Sequence, residues 1–101
     1  MRRLRNTIRQ PRPRRRKRSE VEADAILDLH GDTAEQALVE LARALSDPEI
    51  GTLLIVHGKG SGVLRLQVRA ALRRHPGVCE IRHGEDAGLP GGDGVTWCRL
   101  G

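Results

Sequence analysis

Thr52-Leu53-Leu54-Ile55-Val56-His57-Gly58-Lys59-Gly60-Ser61-Gly62 is the stretch that decides the fold. Its first half is an apolar run and its second half a glycine-rich loop, and helical periodicity follows from Val63, so it carries a strand into a helix. A strand apolar at nearly every position from Thr52 to His57 is expected to be covered on both faces. Gly58, Gly60 and Gly62 let the backbone turn tightly and present its N–H groups to a phosphate oxygen at a helix N-terminus. Lys59 adds a mobile positive charge, and His57 a group that titrates near neutrality. Taken alone, the loop reads equally well as a glycine-rich turn without a ligand. It lacks the G-x-x-x-x-G-K-[ST] spacing of a nucleotide-binding loop, so a nucleic-acid phosphate is favoured over a mononucleotide.

Upstream, Ala25-Ile-Leu-Asp-Leu-His30 is a first strand that ends at Gly31. Alternation puts Ile26, Asp28 and His30 on one face and Ala25, Leu27 and Leu29 on the other. An Asp in an apolar strand is costly without a partner. Asp28 is thus a candidate for chemistry, with a structural hydrogen bond as the alternative. Thr33-Ala-Glu-Gln36 fits a capping box, and Ala34, Ala37, Leu38, Leu41, Ala42 and Leu45 form the stripe of a structural helix that Ser46-Asp-Pro48 ends. Strand, helix and strand of these lengths make a right-handed crossover between parallel strands. That topology brings Asp28 and His30 to the rim that carries the His57 to Gly62 loop.

Downstream, a second helix runs from Val63 to His75, with Leu64, Val68, Ala71, Leu72 and His75 inward and Arg65, Arg69 and Arg73 along an outer face. Arg73 and Arg74 suit the negative end of the helix dipole, whereas Arg65 and Arg69 lie nearer the glycine loop and are assigned to phosphate contact. Val78 to His83 and Val95 to Leu100 are two further strands, most simply antiparallel, joined by a loose segment with five glycines and one proline. The predicted fold is β-α-β-α-β-β, an α/β two-layer sandwich on a four-stranded mixed sheet.

Composition divides the chain of 101 residues into residues 1–24, a basic tail or linker without regular structure, and residues 25–101, a single domain. Ten of the 18 basic residues, Arg14, Arg15, Arg16, Lys17 and Arg18 among them, lie in residues 1–18, which hold no acid. The other eight face all 13 acidic residues, so the remainder carries a formal charge of −5 although the whole chain is +5. The tail reads either as a polyanion-binding arm, weakened steeply by salt, or as a solubilising linker. No secretory signal follows the basic run, and no segment reaches the apolar length of a membrane span. Cys79 and Cys98 are far apart and fall in strands, where buried, reduced thiols of a cytoplasmic protein are expected. Trp97 is the one aromatic residue and reads as packing on the sheet, so rows of aromatic side chains for base stacking are excluded.

Leu27-Asp28-Leu29-His30-Gly31, His57-Gly58-Lys59-Gly60-Ser61-Gly62 with Leu64, Arg65 and Val68, His75-Pro76, and Gly91-Gly92-Asp93-Gly94-Val95-Thr96 together resemble the Smr (small MutS-related) domain. The resemblance covers about residues 25–100 and is closest to the Smr domain that ends the bacterial MutS-II endonucleases. It implies the fold of the C-terminal domain of translation initiation factor three. It also implies endonuclease activity on DNA or RNA, in recombination control or at stalled ribosomes. The family's functional positions fall on Asp28 and His30 of the L-D-x-H motif and on His57, Gly58 and Gly60 of the H-G-x-G loop. His30 stands where MutS-II relatives commonly have Arg, which leaves DNA or RNA open. The partners implied are DNA or RNA and the ribosome, with no membrane, and a larger MutS-II chain that dimerises elsewhere.

Combined, these readings assign catalysis to Asp28, His30 and His57, and phosphate or nucleic-acid binding to Gly58, Lys59, Gly60, Ser61, Gly62, Arg65, Arg69 and the tail from Arg14 to Arg18. Asp28 and His30 form an acid–base pair, or Asp28 binds a divalent cation, Mg or Mn; the metal-free form is favoured because no cluster of metal ligands is evident. The rival is a binding module without chemistry, docking on nucleic acid or ribosomes through the tail and the arginine face.

Overall fold

The computed structural model describes residues 7–9 and 23–101. Its strands and helices are β1 (Thr7–Arg9), β2 (Ala25–Asp28), α1 (Ala34–Leu45), β3 (Thr52–Val56), α2 (Val63–Arg74), β4 (Val78–His83), the single-turn α3 (Gly84–Ala87) and β5 (Val95–Leu100). From β2 onward the order is the predicted β-α-β-α-β-β, with α3 added after β4. β2 and β3 pair in parallel, Asp28 beside Val56, while β5 lies antiparallel between β3 and β4. These four strands make the expected mixed sheet.

β1 extends that sheet to five strands in the order β1-β2-β3-β5-β4. It pairs antiparallel with β2 within the segment read as lacking regular structure, Ile8 opposite Ile26. Its cause is the free edge that β2 would otherwise present, whose unpaired N–H and C=O groups template another strand. The rest of the basic segment, residues 1–6 and 10–22, lies outside the described residues.

One face of the sheet carries the core. Ala25, Leu27, Leu29, Leu53, Ile55 and Cys98 on that face are fully buried against Ala37, Leu41, Ala44, Val68 and Leu72 of the helices. Each such Leu or Ile contributes about 1.5–3 kcal/mol through burial, which is how a chain with one aromatic residue closes a core. The other face is half-covered: Ile26, Leu54, Val56 and Trp97 are of intermediate exposure, and the Arg82 guanidinium lies over the Trp97 ring. β3 is therefore covered fully on one face and not on both as predicted, because α1 and α2 pack on the same side.

The capping box of α1 forms as predicted, with Thr33 Oγ accepting from the Gln36 N–H and the Gln36 side chain accepting from the Thr33 N–H. The buried stripe is rotated slightly, toward Ala44 and away from Ala42. Asp24, read only as part of a polar passage, accepts from the N–H groups of Gly51 and Thr52 and fixes the entry to β2 beside β3. Cys98 is buried as expected, its thiol pushed up to about 12 by burial. Cys79 is exposed instead, at the register shift between Val78 and Glu80 where β4 leaves its regular pairing.

Candidate active site

The strand alternation that buries Leu27 and Leu29 turns Asp28 and His30 to the opposite side, at the end of β2. There His30 Nδ1 lies 2.5 Å from Asp28 Oδ1, and the same carboxylate oxygen accepts from the His30 backbone N–H at 3.2 Å. Asp28 is thus partnered without being buried. The carboxylate raises the His30 pKa above its ordinary value, chiefly through this hydrogen bond and then through its charge. The bond occupies Nδ1 and leaves Nε2 as the outward nitrogen of a ring whose side chain is 69% exposed. A histidine held in this way can take or give a proton near neutral pH.

The parallel crossover brings the glycine loop to the same rim. Gly58 sits at φ +85°, and a Cβ on it would lie 3.4 Å from the His30 Cβ, so the loop runs beside the dyad with no room to spare for a larger side chain. Gly62 caps α2 in the left-handed region at φ +86° and brings no side-chain cap of its own. Ser61 Oγ accepts from the Val63 N–H at 3.4 Å. The exposed Lys59 extends from the loop, and Arg65 folds back so closely that a Cβ on Gly62 would meet its guanidinium at 2.9 Å. Asp93 lies between these cations, 3.3 Å from Arg65 and 4.0 Å from Lys59.

Two expected roles change. His57 is 4% exposed, with Nε2 at 2.8 Å from Thr96 Oγ and Nδ1 at 3.2 Å from the Gly58 carbonyl. Continuing the alternation of β3 places it on the core face, so neither nitrogen is open to a substrate. Burial, with Arg69 and Arg65 nearby, lowers its pKa against the opposing hydrogen bond to Gly58. Arg69 is not on an outer face either, being 5% exposed. Its Nε donates to Thr96 Oγ at 2.7 Å, its two terminal nitrogens donate to Glu85 at 2.8 Å each, and one of them also reaches the Val95 carbonyl. A guanidinium engaged on so many protein acceptors is withdrawn from phosphate contact. Glu85, held by Arg69 and then by its own backbone N–H, has its pKa lowered to about 2.

The segment from Gly84 to Gly94 is not the loose connection expected. α3 and a 3-10 turn at Gly92–Gly94 order it, and the Gly94 carbonyl accepts from the N–H groups of both His57 and Gly58 at 3.0 Å. It thereby forms the floor of the glycine loop. Glu85, Asp93 and Thr96 join the site from this side. Their partners lie 16 to 39 residues away along the chain, so local periodicity carried no signal of them.

Among the described residues, the group of three possible metal-ligating side chains is His83, Glu85 and Asp86, and Glu85 there is engaged by Arg69. Asp28 is not in it. Alone, Asp28 supplies one carboxylate, so a Mg or Mn ion there would draw most of its coordination from a substrate and water. The tail residues Arg14, Arg15, Arg16, Lys17 and Arg18 lie outside the described residues.

Comparison with known proteins gives concordant results. The profile of the Smr domain matches residues 27–101. The chain is 44% identical over 77 residues to the endonuclease MutS2 of Clostridium beijerinckii and 40% identical over 80 residues to that of Caldicellulosiruptor bescii, matching 73% and 76% of this chain. Each match covers 10% of the relative, so the chain spans about a tenth of the length of these proteins. The crystal structure of the Smr domain of Thermus thermophilus MutS2 superposes with a TM-score of 0.67 at 38% identity, over 75% of this chain and 96% of that one.

Proposed function

The chain belongs to the Smr domain family, and from that premise we propose that it is a nucleic-acid endonuclease whose cleavage site is the rim shared by β2 and β3. The observation that carries the proposal is the placement of Gly58 of the glycine loop beside the Asp28–His30 pair. It sets a proton-transfer group beside a phosphate cradle. Relatives named as endonucleases support the same reading.

In the proposed reaction the loop backbone, Lys59 and Arg65 hold the scissile phosphate of RNA and stabilise the charge that grows on its non-bridging oxygens. Asp93 gives up both cations as the phosphate arrives. His30, oriented by Asp28, takes the proton of the ribose 2′-hydroxyl at Nε2. The 2′ oxygen attacks phosphorus and the bond to the 5′ oxygen breaks, leaving a 2′,3′-cyclic phosphate. Water protonates the departing 5′ oxygen, and the hydroxide so formed takes up the proton from His30. His57 and Arg69 touch no reacting atom in this scheme. No step runs through a metal; an ion bound at Asp28 would supply charge stabilisation at the same phosphate. The ribosome is one setting in which such an RNA strand is presented, and a larger MutS-II chain is another context for the domain.

The test is to incubate labelled single-stranded RNA, supercoiled plasmid and ribosomes with the full chain and its Asp28→Ala variant, with and without chelator. RNA product that persists in chelator and disappears in the variant is the expected result. Retention of nucleic acid by both proteins without product would replace the endonuclease by a binding module.

A further inference from the structure

We infer that Arg69, Thr96 and Glu85 are positioning residues that act on the phosphate-binding loop through His57, by a hydrogen-bond chain that runs in one direction. The inference rests on the loop being the phosphate contact, and it specifies what holds that loop in shape.

The direction follows from which atoms can donate. A backbone carbonyl only accepts, so His57 Nδ1, 3.2 Å from the Gly58 oxygen, carries the ring hydrogen. A guanidinium only donates, so Arg69 Nε–H gives its hydrogen to Thr96 Oγ at 2.7 Å. The Thr96 hydroxyl gives its own hydrogen to His57 Nε2 at 2.8 Å. The sequence Arg69 to Thr96 to His57 to Gly58 is therefore a set of donors and acceptors with no freedom to reverse at either end. Glu85 fixes its origin by receiving both terminal nitrogens of Arg69, and the Val95 carbonyl takes a further hydrogen. Arg69, Thr96 and His57 are 5%, 0% and 4% exposed, so water does not compete for these bonds.

The far end of the chain acts on the ligand side. A trans peptide points its C=O and N–H in opposite directions. With the Gly58 carbonyl turned inward to His57, the N–H of Lys59, on the same peptide unit, is turned outward to the open side of the loop. The N–H of Gly58, on the preceding peptide unit, is held by the Gly94 carbonyl at 3.0 Å, so the Gly58 backbone is tied at its N–H as well as at its carbonyl. An outward Lys59 amide beside the Lys59 ammonium is an arrangement that receives an anionic oxygen.

The experiment uses the full chain with 15N-labelled histidine. At pH 7 the His57 ring is expected as the neutral form with hydrogen on Nδ1 and a bare Nε2; hydrogen on Nε2 would overturn the inference without need of any variant. Thr96→Val, of nearly the same shape, removes the hydroxyl. It is expected to shift the Lys59 amide resonance and to raise the Kd for a single-stranded RNA oligonucleotide by about tenfold, the equivalent of one hydrogen bond. Thr96→Ser should restore both. An unchanged Lys59 amide and unchanged affinity in a folded Thr96→Val protein would also overturn it. If the wild-type protein binds RNA and shows the expected tautomer but never cleaves, the nuclease reading fails while the positioning chain stands.

Discussion

At the scale of single residues, the bond between His30 Nδ1 and Asp28 decides which ring nitrogen is left free for the proposed proton transfer. In the proposed reaction it also bears on the pH dependence, because it raises the His30 pKa. A raised pKa means that the neutral, proton-accepting ring is lost below a pH higher than that of an unpartnered histidine. Asp28→Asn removes the charge, so the His30 pKa should fall toward 6.5 in an NMR titration and the acid limb of the cleavage profile should move down with it. A limb that stays in place would separate His30 from catalysis. Gly58 makes a second residue-scale prediction. Gly58→Ala forces a side chain into φ +85° and against His30, so stability should drop by roughly 1–2 kcal/mol from the backbone alone, measured by urea unfolding.

At the scale of elements, α1 is structural and α2 has two kinds of surface. Thr33→Ala breaks the capping box and is expected to reduce stability by about 1 kcal/mol while cleavage per folded molecule is unchanged. The joint between α2 and α3 predicts an acid response. Glu85 has a folded pKa near 2 and a usual value of 4.5, so it stabilises the fold above the upper value and loses that effect as pH falls through the lower one. Glu85→Gln should therefore flatten the acid unfolding curve over that window when followed by circular dichroism.

The elements themselves were largely legible in the sequence, because α1, β3, β4 and β5 are announced by capping, apolar runs and glycine or proline stops. Asp28 and His30 were legible too, since strand alternation and a parallel crossover suffice to bring them to the loop. The inward turns of His57 and Arg69 were not. For His57, one residue of alternation beyond the apolar run decides between rim and core. For Arg69, the decisive partner is a carboxylate in a glycine-rich segment that periodicity reads as loose. Buried charge is masked in a sequence until its counter-charge is found.

At the scale of the whole molecule, the charge is divided: a formally acidic domain follows a segment that holds ten of the 18 basic residues. If that segment is the polyanion-binding arm, deleting residues 1–22 should weaken RNA binding most at low salt and flatten the slope of log affinity against log salt. An unchanged slope would make it a linker. The deletion also removes β1 and exposes the edge of β2, so solubility should be measured alongside. Cleavage by Asp28 and His30 beside the glycine loop, with the ribose hydroxyl as nucleophile, is the proposal on which the other predictions depend. The direct measurement compares one RNA strand with the same strand carrying a single 2′-deoxy nucleotide at the cleaved position. Cleavage of the first to a 2′,3′-cyclic phosphate and none at the substituted position is the expected result. Equal cleavage of both, or of an all-DNA strand, would contradict it.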